Sequence, residues 1–427
     1  MKKLLLILLM SGSVWAQGED PSTFNYEDFS LLPKVEEKEA YYEAMLRASN
    51  DKEQAQQDEY LTALAVGWLA KGNEEKYRYY MKDNPEISFV NLVNLIYALE
   101  YLENDEKYAK LVESVSNETI KKIEEEAAED DLTKSRMQVL LEINAMANAI
   151  LGHAEVAQQS MERASALKGD RESKYFKDSK ANYYKRYAAV LVAQGEQERA
   201  LDTLTTAVSN ADSNPESVAL LKDIYTAVHG NGEDVDALVQ ALQQKAYEHC
   251  YKEVEKKYIT NSNLPFNGTI PNPADPDEKL TIFEATKPVY EISLPDLNGK
   301  PVNLADYKGD VLVIDSWTTL CTPCVAAFAG FDLVVEEYKE EAFQLFVMNL
   351  FEPQKTVKSF VGRKNIDLDV LQDEPNTTYQ IRATPTKIIF DPQGNIRFYS
   401  SGYAGSTHRE YYKLKAMVEI VKKRASI

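Results

Sequence analysis

From about residue 35 to residue 258, apolar positions recur at helical spacing and proline is nearly absent, so this stretch reads as successive amphipathic helices. A motif returns within it. Gly72-Asn-Glu-Glu-Lys-Tyr77, Gly152-His-Ala-Glu-Val-Ala157, Gly195-Glu-Gln-Glu-Arg-Ala200 and Gly232-Glu-Asp-Val-Asp-Ala237 each put a small or aromatic residue five positions after a glycine. Nine positions after it come Met81, Met161, Leu204 and Ala241, and a weaker copy lies at Asn104 to Ala109. Residues 259–287 break the rhythm. Asn261 to Pro276 is dense in proline, asparagine and glycine and cannot sustain a helix, so it reads as a linker, with strand pairing to the next domain left open.

Beyond it the period shortens. Tyr290–Leu294 and Val302–Leu304 flank an Asn298-Gly299 turn as a hairpin, and Val311–Ser316 is the continuous apolar run of a buried central strand. Pro323–Glu340 predicts a helix, Gln344–Asn349 a strand and Thr356–Lys364 a short helix. Lys387–Asp391 and Ile396–Ser400 form a second hairpin, and a helix from about His408 to Lys422 ends the chain. The expected fold is an all-α N-terminal array followed by an α/β domain.

The best helical copy runs from Tyr187 through Gly195, Ala200, Leu204 and Ala207 to Pro215 and resembles a tetratricopeptide repeat. That resemblance implies stacked helix pairs over residues 35–258 and a concave groove for a peptide or protein partner. Tyr79, Tyr80, Tyr183 and Tyr184 are candidates to line it, with core packing as the alternative.

Composition narrows the classes. Hydrophobic residues make up 44% of the 427, enough for two or three cores, and a formal charge of −20 argues against nucleic acid as a partner. Residues 1–16 read as a secretory leader: Lys2 and Lys3, an apolar Leu4–Met10, and a Val14-Trp15-Ala16 cleavage site. The apolar run is too short to span a bilayer. The protein is therefore expected in the periplasm, with residues 17–34 as an N-terminal extension. Three cysteines, Cys250, Cys321 and Cys324, are too few for a disulfide scaffold. Cys250 reads as a buried, inert thiol.

Cys321-Thr322-Pro323-Cys324 carries the chemistry. It follows the apolar strand and Asp315-Ser316-Trp317, and Ala383-Thr384-Pro385-Thr386 leads into the Lys387 strand. With Leu294-Pro-Asp-Leu-Asn-Gly upstream, residues 288–427 resemble the TlpA/ResA-like branch of thioredoxin-fold, AhpC/TSA-related thiol–disulfide oxidoreductases. The resemblance implies Cys321 as the attacking thiol and Cys324 as the resolving one. It implies Asp315 as their proton carrier, Pro385 as a cis-proline facing them, and Trp317, Thr322, Pro323 and Thr384 as substrate contacts. A helix starting at the pair favours a thiolate at Cys321. Protein thiols and disulfides are the implied substrates, a membrane electron donor the implied source, and no cofactor is needed. Reduction or isomerisation is favoured over oxidation.

The chain departs from that branch at Leu320, where tryptophan is common, and at Ala327 and Ala329, where a glutamate and a proline are common. A zinc site would need about four ligands and the pair supplies two. Thr318-Thr-Leu-Cys321 fits a peroxidatic T-x-x-C, but Ile314 stands where that family has proline. The rival from another class is a tetratricopeptide-like adaptor with a redox-sensing or vestigial thioredoxin module.

Overall fold

The computed structural model describes residues 24–48, 57–125, 131–167, 177–275 and 277–425. The leader read at residues 1–16 lies outside them. The chain falls into two compact units, one ending at Leu95 and one starting at Ile96.

The first unit is helical, with α1 (Tyr26–Leu31), α2 (Val35–Ala48), α3 (Asp58–Leu69) and α4 (Glu74–Met81). Helix α5 (Phe89–Leu102) leads from it into the second. Asn25 and Asn73 cap α1 and α4 by accepting the amides of Asp28 and Lys76. Phe29 packs its ring 4.8 Å from that of Tyr60 in the core.

The second unit opens with α6 (Ala109–Glu125), α7 (Asp131–Ile150), α8 (Ala154–Ala166), α9 (Ser179–Ala193), α10 (Gln197–Ser209), α11 (Pro215–His229) and α12 (Val235–Glu255). The glycine motif marks helix ends. Gly72, Gly152 and Gly195 take φ of 69°, 79° and 80°, the left-handed conformation that closes a helix. Tyr77, Ala157 and Ala200 are buried five residues on. The fourth copy is in a different register from the one read at Gly232. Gly230 takes the positive φ, and Val235 and Val239, five and nine after it, are buried, whereas Ala237 and Ala241 are exposed. The backbone conformation sets the anchor, and two glycines close together hid which one held it.

A buried charge network crosses this array. Arg186 donates to Glu103 at 3.0 and 3.2 Å and to Glu100 at 2.9 Å, and Lys185 reaches Glu103 at 3.0 Å. Burial works against Arg186, yet the carboxylates of Glu103 and Glu100 raise its pKa overall.

The α/β part follows with β1 (Phe266–Pro271), β2 (Lys279–Ala285), β3 (Ser293–Pro295), β4 (Pro301–Asn303) and β5 (Val311–Trp317). Then come α13 (Thr322–Tyr338), β6 (Phe343–Leu350), α14 (Gln354–Lys364), β7 (Asp369–Asp373), β8 (Thr386–Phe390), β9 (Ile396–Ser401) and α15 (Thr407–Ala425). Five strands form one sheet in the order β7-β6-β5-β8-β9, with β5, β6 and β7 parallel and β8 and β9 antiparallel. This is the thioredoxin topology, with β7 added beside β6. Strand β5 is buried along its whole length. Val311, Val313 and Trp317 face the core under α13, α14 and α15, whereas Leu312 and Ile314 face the opposite core. Two elements were not read from sequence. The β1–β2 hairpin arises from the stretch read as a linker and puts Phe283 into that second core. Strand β7 is short and has an aspartate at each end.

Helix α12 packs on α15, and the segments before α9 and between α10 and α11 bond to the start of α15. Asp178, just before α9 and at φ 57°, accepts hydrogen bonds from the Thr407 amide and, at 2.7 Å, from its hydroxyl. Ser406 caps α15 locally by accepting the Arg409 amide, and Asp178 adds a partner for the first helical amide from another part of the chain. Ser213 Oγ lies 2.8 Å from His408 Nδ1, and burial pushes His408 down to about 4, so the ring is neutral at pH 7. Arg409 meets Asp212 at 2.6 Å and Lys413 meets Glu253 at 3.1 Å.

Helices α13 and α15 cross closely at Gly330. A Cβ there would stand 2.7 Å from Glu410 Cβ and 3.0 Å from the Thr407 carbonyl. Gly330→Ala should therefore lower stability by about 1–3 kcal/mol through overpacking, despite alanine's better helix propensity. Urea unfolding of the two proteins measures it, and a gain in stability would show that the crossing has slack.

Candidate active site

The site lies where β5 ends and α13 begins. Asp315 sits on the α13 side of β5, with Lys387 directly across on β8 and Val347 across on β6. It is fully buried, and neither carboxylate oxygen has a hydrogen-bond partner. Burial pushes its pKa up to about 7, against the pull of Lys387 and with a small push from Glu410.

Cys321 is the N-cap residue of α13, and Pro323 stands at the second helical position, one later than read. The two cysteines are joined as a disulfide with Cα atoms 5.2 Å apart. They are unequal in access. Cys321 is partly exposed, whereas Cys324 is buried with its Sγ 3.9 Å from the Ser316 carbonyl. Thr322 and Pro323 are half-buried on the same turn. Ser316 ties β5 to the proline loop. Its Oγ donates to the Thr386 carbonyl at 3.0 Å and accepts the Thr386 amide at 3.1 Å. The Thr384–Pro385 bond is cis, Thr384 is half-buried, and the Pro385 carbonyl accepts the Gly402 amide at 3.0 Å.

Trp317 departs from its expected place. It is fully buried, with its ring 5.3 Å from Phe328 and 5.8 Å from Phe360, so it supports the site from beneath and has no surface to offer a substrate. Its odd-numbered position on β5 turns it to the α13 side, where Phe328 and Phe360 cover it. The exposed apolar groups nearby are instead Leu320, 87% exposed, and Phe351, 58% exposed and at φ 63°. Glu352 joins their two loops. It accepts the Thr319 amide at 2.7 Å, the Thr319 hydroxyl, and Asn349 Nδ2 at 2.8 Å. Neither Phe351 nor Glu352 was singled out from sequence. They come together through the register of β5 against β6, which sets Trp317 beside Asn349 and brings the residues after each next to one another, and the sequence carried no signal for it.

Elsewhere, Cys250 is buried with Ala211, Ala246 and Tyr412, and burial pushes its pKa up. A cavity of about 660 Å³ between α8 and α9 is lined by Met161, Tyr183 and Tyr187, with Glu155, Glu162 and Arg199 at its edge. Tyr183 thus lines a groove, whereas Tyr80 is buried and Tyr184 packs against a hydrophobic core. Among the described residues no group of three or more His, Cys, Asp or Glu stands together to hold a metal ion, and no helix is long and apolar enough to cross a membrane.

Residues 285–399 match the AhpC/TSA family. The thiol-disulfide oxidoreductase ResA of Halalkalibacterium halodurans is 28% identical over 31% of this chain and 78% of its own. That of Geobacillus kaustophilus is 26% identical over 24% of this chain and 62% of its own. Among solved structures, the thioredoxin domain of a thiol-disulfide oxidoreductase from Bacteroides vulgatus has a TM-score of 0.27 and 20% identity, over 30% of this chain and 92% of that one. Topology, cysteine pair and sequence match agree: the C-terminal part of this chain has the thioredoxin fold and is similar to TlpA/ResA-like thiol–disulfide oxidoreductases.

Proposed function

We propose that the protein is an exported, periplasmic thiol–disulfide oxidoreductase that reduces or isomerises disulfides of other proteins. The observation that carries this is the unequal access of a bonded cysteine pair at a helix N-terminus. Cys321 attacks a substrate disulfide as thiolate, stabilised by the α13 dipole, and forms a mixed disulfide while one substrate sulfur leaves as thiolate. Cys324 then gives its proton to Asp315 and attacks Cys321, so the Cys321–Cys324 bond forms and the second substrate sulfur leaves. Pro385 and the Thr384 backbone hold the extended substrate beside the pair, and Thr322, Pro323 and Leu320 bound its path. A membrane donor of electrons would return the pair to its reduced form. The helical array recruits a peptide or protein partner through the Tyr183 groove.

Cys324→Ser should accumulate a mixed disulfide through Cys321, read by mass, whereas Cys321→Ser should form little. Equal trapping by both would sink the assignment of roles. The direction is tested by comparing rates: the reduced form should reduce a protein disulfide faster than the oxidised form oxidises a reduced, unfolded chain, and the reverse ranking would make it an oxidant.

Asp315 also predicts a pH dependence of stability. Its folded pKa of about 7 lies above the unfolded value, so the native state holds the proton more tightly and stability falls as pH rises from about 4 to 7. Asp315→Asn should be little changed below pH 4 and stabilised above pH 7, by on the order of a few kcal/mol at most. Denaturant midpoints across that range measure it, and a loss of stability at pH 8 would contradict the burial argument.

A further inference from the structure

Lys387 and Glu410 are both buried and form an ion pair on the α13 side of the sheet. Every part of that pair is held. Lys387 Nζ lies 4.3 Å over the Phe331 ring on α13, and its hydrogen bond goes to Glu410 Oε1. Glu410 Oε2 accepts the Ala404 amide at 2.9 Å, and Gly330 lets α15 approach closely enough to bring the carboxylate in. Lys387 is directly opposite Asp315 in the β5–β8 register and on the same face of the sheet. A buried lysine next to a buried carboxylate would ordinarily bond to it. Here the lysine bonds to Glu410, and both oxygens of Asp315 stay unpartnered.

We propose that Lys387 and Glu410 are positioning residues for the redox reaction: Glu410 draws Lys387 away from Asp315, and the pair thereby sets the charge state in which Asp315 meets Cys324. The inference rests on the reading of Asp315 as the proton acceptor for Cys324. Without Glu410, the ammonium would turn to Asp315 and hold it ionised, a weaker base. Without Lys387, the nearby positive charge is lost and Asp315 takes a proton more readily. The groups facing Asp315 are Lys387 from β8, Glu410 from α15 and the apolar Val347 from β6, and Cys324 on α13 packs into the core on the same side of the sheet. Asp178 and Tyr403 are the next ionisable groups at the start of α15; Asp178 bonds to Thr407, and the two bond to each other.

The test uses the reduced full chain and an aromatic disulfide whose released thiolate absorbs visible light. The first release reports attack by Cys321 and the second reports resolution by Cys324. The second rate should rise with pH through the titration of Asp315. Lys387→Met should move that inflection up and Glu410→Gln should move it down, each by roughly one pH unit, the size of effect a nearby buried charge exerts. Lys387→Arg should stay near the wild-type profile, and thermal melts of all variants show that they fold. Opposite displacements support the proposal. Displacements in one direction, or none, overturn it while the Asp315 reading stands, provided Asp315→Asn removes the inflection. If Asp315→Asn leaves the inflection in place, the reading of Asp315 fails and the inference fails with it.

Discussion

Strand β5 runs through the middle of the sheet with both faces covered, and it carries one ionisable side chain. Burying a carboxylate with no hydrogen-bond partner is costly, and the cost falls on its charged form. Asp315 therefore sits where protonation and ionisation are close in free energy near neutral pH. The surrounding parts are arranged about that constraint. Cys324 is buried over the end of the same strand, Ser316 pins the proline loop on the neighbouring strand, and the lysine across the ladder is occupied elsewhere.

Access is graded along the same line. Cys321 meets solvent, Cys324 does not, and Trp317 below them is sealed between aromatic rings. In the proposed mechanism, the step that needs an outside partner is at the surface and the proton transfer lies in the low-dielectric interior. The rim is apolar at Leu320 and Phe351, and Glu352 fixes the two loops that present them.

How much of this was readable from sequence depended on distance along the chain. The cysteine pair, the apolar strand before it and the Thr384-Pro385 turn are local patterns, and each appears in the structure where it was read. The helical half was legible through its glycines, since three of four take the left-handed conformation at the expected place. The fourth was misread by two residues because Gly230 and Gly232 fit the spacing almost equally and only backbone geometry separates them. Strand β7 and the β1–β2 hairpin gain their stability from tertiary packing, which short-range periodicity does not report. Lys387 with Glu410 and Glu352 with Thr319 are brought together by sheet register and helix crossing. No spacing rule connects them.

Asp178 adds a consequence for how such a chain can evolve. Helix α15 is capped locally by the Ser406 hydroxyl, but its first amide goes to a carboxylate 229 residues earlier, and the same helix carries Glu410 to the redox centre. Moving the thioredoxin-fold part by itself would therefore cost it contacts that its last helix makes with the helical half. A shuffled copy would leave the Thr407 amide and hydroxyl without their partner unless it brought this acid along or acquired a substitute.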